Sequence, residues 1–122
     1  MRIDFDSQTP IFQQISEGIE DAILTGAFGE GDQIPSITEF SVVYKINPAT
    51  ALKGINMLVD NGVLYKKRGV GMFVQMGAKN TLKESRSKQF YEDYICKMVD
   101  EAKRLGMTSA EVAAMIQKGF EQ

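Results

Sequence analysis

The sequence predicts an α+β fold that is mainly α-helical, has one small β-hairpin, and ends in a two-helix C-terminal tail. In five segments of the 122-residue chain, apolar residues recur every three or four positions, which is the spacing of amphipathic helices. Two short apolar runs flank Arg68-Gly69-Val70-Gly71 and predict a hairpin. Capping residues, prolines and glycines stand between the segments, where helices begin and end.

The first helix is predicted to start at Pro10, after Thr9, and to end at Gly26, since proline favours the first helical position and glycine the position after the last. Its apolar stripe is spaced by four residues and predicts a buried face. The stripe consists of Ile11, Ile15, Ile19 and Ile23. The glycine-rich connector that follows should become extended at Ile34, because Pro35 comes next.

A second and a third helix are predicted with only about two residues between them. Ser36 and Glu39 have the spacing of a capping box, and the second helix should end near Lys45. We expect Ile37, Phe40 and either Val43 or Tyr44 to face inward. Asn47 should cap the third helix, which starts at Pro48 and runs to about Asp60. Two helices joined by so tight a turn form a helix-turn-helix.

The third helix should present one buried stripe and one exposed stripe. Ala51, Ile55 and Leu58 form the inner stripe. The outer stripe consists of Thr50, Lys53 and Asn56. Gly54 interrupts the helix at a cost of about 1 kcal/mol relative to alanine, so we expect close packing there against the first or second helix. The strands that follow, about 63–67 and 72–75, make the hairpin a wing beside the helix-turn-helix.

From about Asn80 the pattern changes to a heptad-like seam that stops at Gly106, and Thr108 or Ser109 caps a last helix. We therefore predict two domains, residues 1–77 and 78–122. The seam packs either on its own chain or on a second copy, and the second copy is favoured because so small a tail can hardly bury its aromatic residues alone. The predicted dimerisation residues are Tyr91, Tyr94, Ile95, Met98, Ala102 and Leu105.

Composition argues against several classes of function. The chain contains no histidine and one cysteine, Cys96, so it lacks the usual general base and the usual zinc ligands. We predict that it is not an enzyme and uses no metal or cofactor. No apolar run approaches the roughly 20 residues of a membrane span, and the acidic N-terminal segment does not fit a secretory signal. We expect a cytoplasmic protein without a membrane partner.

Charge is segregated along the chain. The net charge is −2, yet residues 45–68 hold five basic residues and one acid, Asp60, a local charge of +4. Before residue 45 the chain has eight acids and only Arg2 as a base. A basic segment that contains the third helix and the wing predicts contact with DNA.

The ordered segments PIFQQISEGIEDAIL, GDQIPSITEF and INPATALKGINMLVDNGVLYKKRGVGMFV resemble the winged helix-turn-helix domain of GntR-family bacterial transcription regulators over about residues 9–75. The short tail resembles the YtrA-like subfamily, which lacks the large effector-binding domain and dimerises through its tail. The resemblance implies a homodimer that binds a pseudo-palindromic operator on double-stranded DNA, and we predict that it acts as a repressor. The resemblance does not identify a small-molecule effector, and no ligand pocket is evident in the sequence.

The resemblance also implies which residues contact DNA. The wing motif R-x-G-x-G is intact as Arg68, Gly69 and Gly71. Thr38 and Leu52 depart from the family pattern, which usually has basic residues there, and Leu52 could instead touch a thymine methyl group. The full predicted set is Ser36, Thr38, Asn47, Thr50, Leu52, Lys53, Lys66, Lys67, Arg68, Gly69 and Gly71.

In this prediction the third helix, about 48–60, enters the major groove, and the wing, about 63–76, contacts the flanking minor groove and phosphates. The alternative is a winged-helix protein-interaction module with weak or lost DNA binding. Thr38, Leu52 and the low net charge favour that alternative, whereas the intact wing and the +4 segment oppose it.

Overall fold

The computed structural model describes residues 1–122, which form two compact units, Met1–Glu84 and Ser85–Gln122. The elements are α1 (Ile11–Thr25), α2 (Ile37–Tyr44), α3 (Pro48–Asp60), β1 (Leu64–Lys67), β2 (Gly71–Val74), α4 (Ala78–Phe90), a π-helical turn (Tyr91–Ile95), α5 (Cys96–Arg104) and α6 (Ser109–Phe120). The predicted mainly α fold with a hairpin and a helical tail is confirmed. None of its helices has the length and apolarity needed to cross a membrane.

The core of the first unit forms where the predicted inner stripes of α1 and α3 meet. The buried residues of these stripes are Ile15, Ile19, Ile23, Ala51, Ile55 and Leu58. The helices are in close contact at Gly54, where an added Cβ would lie 2.6 Å from the Phe12 carbonyl oxygen. The Ser16 hydroxyl, itself buried, donates to the Gly54 carbonyl at 2.8 Å. The expected packing of this glycine against the first helix is confirmed.

The predicted helix caps are in place. The Ser36 hydroxyl accepts from the Glu39 amide, and the Glu39 carboxylate accepts from the Ser36 amide, both at 3.1 Å. Asn47 Oδ1 accepts from the Ala49 amide at 2.8 Å. The first helix begins at Ile11, one residue after the predicted start, because Pro10 has an extended backbone with ψ 147°. At the end of α2 the half-buried side chain is Tyr44, and Val43 is exposed.

The wing is larger than the predicted two-stranded hairpin. Strands β1 and β2 pair antiparallel from Leu64–Val74 to Lys67–Gly71. The connector before α2 then lies along the other edge of β2. The Gly31 amide donates to the Val74 carbonyl at 2.8 Å, and the Ile34 amide donates to the Met72 carbonyl at 3.0 Å. The extended backbone that Pro35 imposes on Ile34 makes this pairing feasible.

In the tail, helical backbone continues from Ala78 to Arg104, and the turn Tyr91–Ile95 is π-helical. The heptad-like seam predicted here assumed one regular α-helix, which is wrong at this turn, because a π-turn holds an extra residue. Ala102 is buried and Ile95 and Met98 are half-buried, whereas Tyr91 and Leu105 are exposed. The last helix has a second capping box, between Thr108 and Glu111, which decides between the two predicted caps.

Candidate nucleic-acid interface

Three of the eleven predicted DNA-contact residues lie on α3. Leu52 is 39% exposed, and Lys53 and Asn56 are exposed beside it. Thr50 is only half-buried, so the predicted outer stripe is least open at its N-terminal end. The concave surface on this face is lined by Ala49, Leu52, Lys53, Asn56, Met57 and Asp60. Such a mixture of apolar and polar side chains can contact both base edges and methyl groups in a groove.

Lys53 is held against the first helix. Its Nζ lies 4.0 Å from the centre of the Phe12 ring, a cation–π contact. The contact restricts a long side chain that would otherwise sample many rotamers, yet the residue stays exposed. An ammonium held in this way loses less conformational entropy when it binds a phosphate or a base.

Three predicted residues lie near helix N-termini, and all three are exposed: Ser36, Thr38 and Asn47. The Ser36 and Asn47 side chains already serve as caps for α2 and α3. Their first structural role is therefore to fix where these helices begin. The amides of a helix N-terminus attract phosphate, although Glu39 places a carboxylate in the first turn of α2.

The wing presents its basic residues to solvent. Lys66, Lys67 and Arg68 are all exposed, and the Lys67 Nζ lies 5.0 Å from the centre of the Phe73 ring. Gly69 has a φ of 78°, which explains a glycine at the turn. The turn therefore projects Arg68 and the 59% exposed Val70 at the tip of the hairpin.

Two residues beside these elements were missed by sequence reasoning. Gln33 donates from Nε2 to the Val70 carbonyl at 3.0 Å, which ties the connector to the tip of the wing. Lys45 lies in the turn between α2 and α3 with φ 54°, and it is the sole non-glycine residue of the chain with positive φ. Lys45 could have been identified from the sequence, because it is a basic residue in the turn of a helix-turn-helix. Nothing in the sequence indicates the contact of Gln33 with the wing.

All eleven predicted DNA-contact residues lie in the first compact unit. Nine of them are exposed, while Thr50 and Gly71 are half-buried. The fold therefore places on the surface of one unit the residues that the sequence separates by 35 positions, from Ser36 to Gly71.

The predicted dimerisation residues lie in the second unit, and several of them are open to solvent. Tyr94 is 66% exposed, and its ring lies 5.6 Å from that of Phe90, which is 54% exposed. Further exposed apolar side chains of this unit are Tyr91, Val99, Leu105, Met115, Ile116 and Phe120. Exposed apolar side chains in such number are typical of a protein–protein contact surface.

Comparison with known proteins identifies a matching family and similar proteins. Residues 11–74 match the family model described as "Bacterial regulatory proteins, gntR family". The chain is 33% identical over 92 residues to the HTH-type transcriptional repressor YtrA of Bacillus subtilis, covering 75% of this chain and 71% of that protein.

Solved structures have the same architecture. A GntR family transcriptional regulator from Listeria monocytogenes is 27% identical with a TM-score of 0.79, covering 93% of this chain and 98% of that chain. The DNA-binding domain of AraR in complex with operator ORE1 is 29% identical with a TM-score of 0.54, covering 59% of this chain and 88% of that chain.

Proposed function

Since the chain belongs to the GntR family of bacterial regulatory proteins and resembles its YtrA-like members, we propose that it is a homodimeric repressor of a pseudo-palindromic operator. The family makes it a DNA-binding transcription regulator with a winged helix, and not an enzyme. The proposal adds the assembly, the mode of docking and the direction of regulation. It also places the protein in the bacterial cytoplasm, where the DNA is.

In the proposed docking, α3 enters the major groove with its outward face. Lys53 and Asn56 then meet base edges or phosphates, and Leu52 meets a thymine methyl group. The N-terminus of α2, with Thr38, faces the phosphate backbone. The wing lies on the flanking minor groove, where Arg68 enters a narrow and electronegative stretch, and Lys66 and Lys67 neutralise phosphates.

The observation that carries this proposal is the set of exposed cations on α3 and the wing. Lys53, Lys66, Lys67 and Arg68 are exposed on one compact unit, in a chain whose net charge is −2. The structure of the AraR DNA-binding domain, which resembles this unit, holds an operator. Cations concentrated on two elements of an otherwise acidic protein attract DNA to those elements.

The homodimer rests on the exposed apolar side chains of the second unit. An isolated protomer would leave Phe90, Tyr94 and Phe120 in water, with exposures of 54%, 66% and 84%. A two-fold dimer would cover them and would bring two recognition helices to two half-sites. That geometry is the reason to expect a pseudo-palindromic operator.

The double substitution Lys53→Ala with Arg68→Ala tests the docking mode. Each lost charged contact removes about 1.5–3 kcal/mol, so affinity for the operator should fall by well over tenfold. The matched control, Lys79→Ala with Lys118→Ala, removes the same charge from α4 and α6 and should leave affinity close to wild type. Affinity is measured by fluorescence anisotropy on labelled operator and on scrambled DNA.

The outcomes separate the alternatives. If the double substitution leaves operator affinity unchanged, the proposed docking mode is wrong and the protein binds DNA through a different surface. If the wild-type protein prefers no DNA at all, the fold serves protein partners instead.

A further inference from the structure

We propose that Gln33 is a positioning residue that holds the tip of the wing in the conformation from which Arg68 enters the minor groove. This inference rests on the proposed function of the wing and adds to it a residue outside both the helix-turn-helix and the hairpin. Gln33 comes from the connector that leads into α2.

The backbone of the connector is fixed against the wing on both sides of Gln33. The Val74 amide donates to the Asp32 carbonyl at 2.9 Å, and the Ile34 amide donates to the Met72 carbonyl at 3.0 Å. Gln33 itself forms a β-bridge with Phe73. Ile34 is buried in the core, with 3% exposure. Because the connector backbone is held on both sides of Gln33, the side chain of Gln33 reaches the wing from a rigid base.

The side chain then contacts the turn itself. Its Nε2 donates to the Val70 carbonyl at 3.0 Å, two residues after Arg68. The same Nε2 occupies the space beside Gly71, where an added Cβ would lie only 2.5 Å away. A side chain at Gly71 would expel the amide, so the glycine is needed for this contact as well as for its φ of 146°. The hydrogen bond thus fixes the far side of the turn that projects Arg68.

The hydrogen bond of Gln33 preorganises the tip of the wing for DNA binding. Gln33 is exposed, so its hydrogen bond contributes little to global stability, but it limits the conformations of the tip before DNA arrives. A wing that is already ordered loses less entropy on binding. Gln33 also immediately precedes Ile34, Pro35 and Ser36. The same segment therefore ties the wing to the cap of α2.

The test is Gln33→Met, which keeps the length of the side chain and removes the donor. Loss of one such hydrogen bond is worth about 1 kcal/mol, so operator affinity should fall about fivefold while the melting temperature stays within about 2 °C of wild type. Gln8→Met makes the same chemical change at an exposed glutamine of the N-terminal segment, outside the wing and the helix-turn-helix, and should leave affinity unchanged.

A double-mutant cycle with Arg68→Ala separates positioning from a direct contact of Gln33 with DNA. If Gln33 acts through Arg68, the loss caused by Arg68→Ala should be several-fold smaller in the Gln33→Met background than in wild type. Equal losses in both backgrounds, or wild-type affinity for Gln33→Met, would overturn the inference and leave the proposed docking intact. An Arg68→Ala variant that binds as wild type would overturn both.

Discussion

Replacing Gly54 by alanine should destabilise the protein, against the usual effect of such a change in a helix. In an exposed helix, glycine to alanine stabilises by about 1 kcal/mol. Here the new Cβ would lie 2.6 Å from the Phe12 carbonyl oxygen and 3.1 Å from the Ile15 Cβ. Close C···O contacts in proteins lie near 3.3 Å, so α1 and α3 would have to separate by roughly 0.7 Å.

The size of the effect follows from that overlap. Inserting one methyl into a packed core costs about 1–3 kcal/mol, occasionally more, and a backbone oxygen cannot rotate away as a side chain can. The shift would also stretch the hydrogen bond from Ser16 to Gly54, which contributes about 1 kcal/mol. After subtraction of the helix-propensity gain, we expect a net loss of about 1–3 kcal/mol in the free energy of unfolding. For a unit of this size that lowers the melting temperature by roughly 5–20 °C.

Thermal and urea unfolding at one fixed protein concentration measure this loss, because the stability of a dimer depends on concentration. Gly119→Ala is the matched control. Gly119 lies in α6, where an added Cβ would meet nothing within 4 Å, so this variant should be as stable as wild type or slightly more stable. A Gly54→Ala variant that is no less stable than Gly119→Ala would refute the reasoning from close packing.

Three further substitutions test other parts of the structure. Lys45→Gly should stabilise the protein by up to about 1 kcal/mol, because glycine adopts a φ of 54° without the strain of a side chain; a lower melting temperature would contradict this. Ser36→Asp should keep the stability of wild type, since aspartate caps helices as well as serine does. It should weaken operator binding, because it places a negative charge beside a DNA phosphate. Unchanged affinity would show that Ser36 lies away from DNA. Tyr94→Asp should convert the dimer to a monomer in sedimentation experiments, because it puts a charge into an apolar contact, and an unchanged mass would remove Tyr94 from the interface.

The local elements were predictable from sequence because their signals are local. Ser36 and Glu39 determine the start of α2 by hydrogen bonds over three residues, and Asn47 with Pro48 does the same for α3. The isoleucine stripe of α1 needs only the helical period to be recognised. Even the role of Gly54 could be inferred, since a costly residue in a helix predicts close packing.

The features that escaped prediction depend on contacts between distant segments or on backbone choices with no residue signature. The bond from Gln33 to Val70 spans 37 positions, and neither residue is unusual by itself. The π-turn at Tyr91–Ile95 contains no glycine or proline to indicate it, so the apolar spacing read as a regular helix. The eleven predicted DNA contacts and the dimer seam stay predictions, which the binding and sedimentation experiments test.

The most direct test of the account is binding of the purified protein to the DNA upstream of its own gene, titrated at several salt concentrations beside scrambled DNA of equal length. Four cations per protomer predict a log–log salt slope of up to about −7 for a dimer, with at least a hundredfold preference for the upstream DNA. Two footprinted half-sites should lie about one helical turn apart or a multiple of it. Equal affinity for both DNAs at every salt concentration would contradict the claim that this chain is a sequence-specific regulator.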